Sequence, residues 1–201
     1  MDPEIYVFPN IHSAPLKIVA STALFVLVLI LAVLVTPLLP GPHLWAALDR
    51  TIEIAGATIS LATLLHILFG YLLFIYGSYH AWQATRLKNT VEDPKHELAT
   101  RILDTGYYAR VRHPMYGMFI LANVGLGFAL ASIYGLLFGL LSLAAFTANG
   151  IFEERYVMLR FFGETYQNYM VLVKARYFTP GQALIVALTI GVYIAGFLPI
   201  R

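Results

Sequence analysis

Long apolar blocks, broken by prolines and short polar stretches, leave this chain few solvents in which it can fold. The leucine- and valine-rich block that follows Lys17 runs to about Thr36. Some twenty residues at ~1.5 Å each cover a hydrocarbon core of roughly 30 Å. Charged residues are only 12% of the 201 positions, about half the roughly 25% of a soluble domain, so the chain reads as an integral membrane protein. It has no cysteine, which excludes disulfides and thiolate metal sites. Pro3, Pro9 and Pro15 make an irregular lead-in, and the first apolar block is too long for the core of a cleavable signal.

Five spans are expected, at about 16–36, 54–79, 115–131, 133–152 and 183–198. Pro37, Pro40, Gly41 and Pro42 end the first, and Trp45 serves as an interfacial anchor behind them. Ser132 leaves room only for a tight reversal, so the third and fourth spans should form an antiparallel hairpin. Small residues at spacing four (Gly135 and Gly139; Asn123, Gly127 and Ala131) fit close helix packing there. Phe152, Tyr156, Leu159, Phe162, Tyr166, Tyr169 and Val173 recur every three or four positions, an amphipathic helix with Gly163 as its natural bend. The expected fold class is an all-α integral membrane protein: one membrane domain over 1–201, five transmembrane helices and a cytoplasmic amphipathic helical segment.

Two polar segments, 83–114 and 153–180, carry most of the chemistry. With five spans they fall on one side of the membrane together with the N-terminus. That side holds Lys17, Arg86, Lys88, Lys95, Arg101, Arg110, Arg112, Arg155, Arg160, Lys174 and Arg176, against Arg50 and Arg201 on the other. The excess of positive charge places it in the cytoplasm.

Residues 105–116 pack two arginines, one histidine and three tyrosines around Gly106 and Pro114, a density of anion-binding and ring-stacking groups found nowhere else in the chain. Proline disfavours helical geometry at the residue before it and suits the first helical turn. Pro114 therefore starts a span with His113 near its N-cap, where helix dipole and arginines favour an anion. The bland reading is a basic cluster that meets anionic lipid. One hairpin later come Glu153 and Glu154. Two carboxylates at a span end are costly unless paired. Their bland reading is a surface ion pair with Arg155 or Arg110. Together the two clusters offer a cation binder facing an anion binder, which suits a zwitterion such as an amino-acid moiety. His66 reads as a hydrogen-bonded core histidine, and neither His80 nor His96 has a partner at metal-ligand spacing. No metal and no nucleic-acid partner is expected.

These residues resemble a known family. Gly106-x-Tyr108-x-x-x-Arg112-His113-Pro114-x-Tyr116 is similar to the Arg-His-Pro motif of the isoprenylcysteine carboxyl methyltransferases. Glu153-Glu154 followed by Phe161-Phe162-Gly163-Glu164-x-Tyr166-x-x-Tyr169 resembles their C-terminal signature. The resemblance implies S-adenosylmethionine as methyl donor and S-adenosylhomocysteine as product. It implies donor contacts at Tyr108, His113, Tyr116 and Glu154, with the backbone of Thr100, Arg101, Ile102 and Leu103 along the adenosine. Arg112 and Glu153 are further contacts that it suggests, and with Arg176 they are the candidate catalytic residues. The sequence departs from the family in two places. Gly117 follows Tyr116 directly, where a glycine is usual one residue later. Gly150 stands where eukaryotic members carry a substrate-side arginine, leaving Arg176 or Arg110 as the substitute.

The implied reaction is methylation of an isoprenylcysteine-like carboxylate on a lipidic or prenylated small-molecule or peptide acceptor, entering from the membrane lipid. A carboxylate needs no general base, since opposite charges cancel as the bond forms. An amine acceptor would need one, and Glu153 or Glu164 is the candidate. Alternatives are a phospholipid or other small-lipid N-methyltransferase, a sterol-reductase-like enzyme using NADPH, and a transporter or scaffold without catalysis.

Overall fold

The computed structural model describes residues 41–42, 50–54, 57–91 and 100–198. The expected span at 16–36, the Trp45 anchor and residues 92–99 lie outside these.

The second span begins later than hydropathy suggests. Thr51–Ile54 (β1) and Ala57–Ser60 (β2) pair antiparallel, with Thr51 opposite Ser60 and Ile54 opposite Ala57. β-branched Thr51, Ile52, Thr58 and Ile59 favour the extended chain. The helix α1 follows at Leu61–Asn89, its start fixed by the Ser60 side chain, which accepts from the Thr63 N–H at 3.0 Å. It runs past the last apolar residue to Asn89, so residues 83–89, expected as loop, are its final turns. Arg86 and Lys88 there complement the dipole.

Pro114–Ala129 forms α2, with proline at its first turn. Ala131, at φ 43°, reverses the chain, and Ile133–Glu153 forms α3, capped by the Ser132 hydroxyl. Instead of ending near Phe152, the helix widens into a π turn at Glu154–Met158 and continues as α4, Leu159–Leu172. The expected bend is present: Gly163 sits at φ 49°, ψ −125°. An extended strap, 173–179, leads into α5, Pro180–Gly196.

The expectation of five transmembrane helices fails. Among the described residues two helical runs are long and apolar enough to cross a membrane, Leu61–Asn89 and Ile133–Leu172, while α2 and α5 are shorter apolar helices. The 16 residues of α2 reach only ~24 Å at ~1.5 Å per residue. Proline at one end and the left-handed Ala131 at the other leave it no room to lengthen.

Small residues set the helix contacts. A Cβ on Gly77 would lie 2.6 Å from the Ala122 nitrogen, and one on Gly70 would lie 2.5 Å from the Ala129 nitrogen, so α1 and α2 run antiparallel with their backbones touching. The hairpin closes the same way, since a Cβ on Gly127 would meet the Gly135 carbonyl at 2.3 Å. Nearer the open end, Asn123 donates to the Ser142 hydroxyl at 2.7 Å. The Tyr193 hydroxyl ties α5 to the turn, accepting from the Ser132 N–H at 2.8 Å and lying 2.8 Å from the Gly127 carbonyl. His66 is the buried core histidine expected, its Nδ1 3.0 Å from the Phe128 carbonyl.

The aromatic stripe along 152–173 holds only in part. Tyr166, Tyr169 and Val173 are buried with Leu159, Phe162 and Ile102 packed on them, whereas Phe152 and Tyr156 are exposed. The π turn Glu154–Met158 begins after Phe152, contains Tyr156 and ends before the buried set. Its wider winding breaks the 3.6-residue register.

Candidate active site

The open end of the α2–α3 hairpin brings the two polar clusters together. Pro114 holds His113 at φ −123°, ψ 62°, the N-cap of α2. The backbone N–H groups of Arg112 and His113 donate to the carbonyls of Ala175 (2.9 Å) and Arg176 (2.7 Å) in the strap. The strap thus pairs with the residues that begin α2, and its side chains close over the end of α3.

At the centre is Glu154, in the first position of the π turn and 2% exposed. That depth alone would be prohibitive for an unpaired carboxylate. Its Oε1 accepts from Arg112 Nε at 2.7 Å and lies 3.2 Å from His113 Nε2. Its Oε2 is 2.9 Å from Arg176 Nη2. Arg112 is committed further, donating through Nη1 to the Val173 carbonyl at 2.8 Å. Glu153 Oε2 lies 3.5 Å from His113 Nδ1. Arg112, Arg176 and His113 take the places expected for Arg110 and Arg155, both of which are exposed.

His113 is held between two carboxylates, one at each ring nitrogen. Burial lowers its pKa, but hydrogen bonds and charge from Glu153 and Glu154 outweigh that, and the net shift is upward from the ordinary 6.5. Each ring nitrogen faces a carboxylate oxygen, an arrangement that favours the protonated ring. The ring stacks on Tyr116 (centroids 5.6 Å, 15° between planes) and tilts against Tyr177 at 5.9 Å.

The other expected contacts form a flank rather than the centre. Tyr108 lies in the 3-10 turn Gly106–Ala109, its carbonyl accepting from the Tyr169 hydroxyl at 2.6 Å. Ile102 packs on the Tyr166–Tyr169–Val173 cluster, and Leu103 is half-buried beside it in sequence. Thr100 and Arg101 are exposed, and the Thr100 hydroxyl donates to the Val91 carbonyl at 2.7 Å. Glu164 is exposed just beyond the Gly163 bend.

Tyr177 is the residue that reading the sequence missed, and the two departures from the expected motif are its signal. A Cβ on Gly117 would fall 1.9 Å from the Tyr177 carbonyl oxygen, and one on Gly150 would fall 2.6 Å from its ring. The glycine directly after Tyr116 is needed for the strap to pass. Gly150 is where the ring lies, with its hydroxyl donating to the Thr147 carbonyl at 2.6 Å. An arginine at 150 has no room while Tyr177 is in place.

The donor set can hold an amino-acid zwitterion. Glu154 Oε2 has one donor and a carboxylate oxygen accepts two, so an ammonium has an acceptor there. The imidazolium and guanidinium groups suit a carboxylate. An aromatic flank adjoins them for a ring.

Two helical runs long and apolar enough to cross a membrane end near a buried cluster of two carboxylates, two arginines and a histidine, which suits an enzyme associated with a membrane. The phospholipid methyltransferase family matches the chain over residues 65–165, half of its length, and the chain belongs to that family. It is accordingly a methyltransferase that uses S-adenosylmethionine. No curated protein gives a significant match. The family corrects the resemblance to isoprenylcysteine carboxyl methyltransferases. The matched residues 65–165 contain both motifs on which that resemblance rested, Arg112-His113-Pro114 and Glu153-Glu154.

Proposed function

We propose that this chain transfers a methyl group from S-adenosylmethionine to the amine of a phospholipid or related small lipid, at the cytoplasmic surface of a membrane. Glu153 carries the reading. It is the carboxylate beside His113 that the Arg112–Glu154–Arg176 cluster does not consume. An acceptor amine is protonated at neutral pH and must lose that proton before its lone pair can attack. A carboxylate acceptor needs no such partner.

The roles divide by burial. Glu154, with Arg112 and His113 behind it, would hold the ammonium of the donor's methionine end. Tyr108 and the backbone of Thr100, Arg101, Ile102 and Leu103 would border its adenosine. Tyr116 stacks on His113 and orients it. The bound donor supplies a methyl already activated by a positive sulfur, so the protein's work is alignment, worth ~7–11 kcal/mol in the best cases. Glu153 would orient the acceptor ammonium and take its proton. Burial of the cluster excludes water, which strengthens each of these contacts.

The single membrane domain, with its site at one face, suits a lipid that reaches the protein sideways. Arg86, Lys88, Arg110, Arg112, Lys174 and Arg176 crowd that face, and this supports the cytoplasmic side.

The test is transfer of labelled methyl into phosphatidylethanolamine by the full chain in detergent or nanodiscs. A base-stable, lipid-extractable product is expected. A base-labile ester on a carboxylate acceptor, with no amine product, would overturn the reading.

A further inference from the structure

Arg176 has an unspent donor. Its carbonyl is tied to the His113 N–H at 2.7 Å, and its Nη2 lies 2.9 Å from Glu154 Oε2. The residue is thus held at its backbone and at one guanidinium nitrogen. Yet its Nε is a buried side-chain nitrogen with no hydrogen-bond partner, the only such side-chain atom among the described residues. An unsatisfied buried donor of a charged group is costly, and a native site keeps one where a ligand completes it.

Two further observations say what kind of ligand. The first is charge. Among the described residues, three basic side chains, Arg112, His113 and Arg176, share two carboxylates, Glu153 and Glu154, at this cluster, which leaves it able to take a further anionic group. The second is access. The Arg176 side chain is 37% exposed, against 7% for Arg112 and 3% for Glu154. The outer edge of the Arg176 guanidinium, with its buried Nε behind it, is therefore the part of the arginine pair that meets a group arriving from outside.

We propose that Arg176 binds the phosphodiester of the acceptor headgroup, its exposed guanidinium edge meeting the phosphate and its unpaired Nε–H completing the contact, and so selects amine lipids that carry a phosphate. This rests on the lipid-amine reading above. Once its amine is neutral, such a headgroup carries one negative charge. Arg176 balances that charge while Glu154 fixes the guanidinium's orientation. Planar N–H donors match phosphate oxygens well. The other possible source of an anionic oxygen is the carboxylate of the donor, and the experiment separates the two.

The full chain in nonionic detergent is given two acceptors with the same acyl chains. One is dioleoyl phosphatidylethanolamine. The other is a dioleoylglycerol 2-aminoethyl ether, which keeps the amine and lacks the phosphate. The wild type should prefer the phosphodiester. Arg176→Met should reduce that preference about tenfold to a hundredfold, chiefly through KM for the phospholipid. The readout is the ratio between the two acceptors at saturating donor, and Arg176→Lys should recover part of the preference. Equal loss on both acceptors would assign Arg176 a purely structural role. Weakened S-adenosylhomocysteine binding with the preference intact would assign the anion to the donor. Either result overturns the proposal. If Arg176→Met does not fold, the same comparison is read from Arg176→Lys and Arg176→Gln. A wild type that binds S-adenosylhomocysteine but methylates neither amine rejects the lipid-amine reading itself, and the Arg176 assignment with it.

Discussion

Arg112 and Glu154 meet at 2.7 Å across 42 positions of chain, both almost fully buried. Neither could occupy its place alone. Removing one member of a buried pair leaves an uncompensated charge and typically costs about 3–5 kcal/mol. Glu154→Ala is expected to lower the thermal midpoint sharply and to abolish S-adenosylhomocysteine binding by calorimetry. Glu154→Gln, which keeps the shape, should lose most of the binding and less of the stability. Wild-type affinity in both variants would remove Glu154 from the donor site.

His113 makes stability depend on pH in one direction. Its folded pKa is raised above the ordinary 6.5 by Glu153 and Glu154 against the opposing effect of burial. Below about pH 6.5 both folded and unfolded chains hold the proton and the contribution is complete. As pH rises from there through the folded value, the folded chain must give the proton up and the contribution is lost. The difference in melting temperature between wild type and His113→Gln should therefore be largest at mildly acidic pH and shrink toward alkaline pH. A difference that grows with pH would mean that His113 is neutral in the fold.

Gly117 and Gly150 are expected to tolerate nothing larger. Even alanine at 117 would place a carbon 1.9 Å from the Tyr177 carbonyl oxygen, so the strap must move, and with it the carbonyls that receive the Arg112 and His113 N–H groups. Gly117→Ala should cost more than the about 1–3 kcal/mol of ordinary overpacking. Gly150→Ala should be relieved by Tyr177→Ala in the double variant. Additive losses measured by thermal unfolding would show that ring and glycine do not interact.

Glycines along the bundle should divide by contact rather than by helix. Gly77→Leu would drive a side chain into the Ala122 and Met118 backbone and separate α1 from α2. Gly191→Ala meets nothing within 4 Å. That change should be neutral or stabilising by about 0.5–1 kcal/mol, since glycine weakens a helix interior. Comparing unfolding of the two variants in the same detergent checks the packing.

Several parts of this picture were legible in the residues. Proline's steric demands act on its immediate neighbour, so Pro114 marked a helix start and His113 its cap. The tight turn at Ser132 made α2 and α3 a hairpin, which was enough to bring Glu153 and Glu154 to His113. Helix ends were less legible. Hydropathy reports the solvent around a segment and not its backbone, so α1 continued to Asn89 after its residues had turned polar. The π turn at Glu154–Met158 left no mark in composition, and it turned Phe152 and Tyr156 away from the stripe they were expected to share.

The sequence by itself determined a membrane-suited helical chain with two chemically dense clusters one hairpin apart, because those features come from periodicity and from sterics acting over a few residues. Tertiary structure alone decided how the strap meets the two clusters. The strap at 173–179 delivers Arg176 to Glu154 and Tyr177 to Gly150. Those contacts depend on how α5 returns against the α2–α3 hairpin, a packing geometry that no local pattern encodes. Gly150 therefore looked like a missing arginine until the ring that occupies its place was seen.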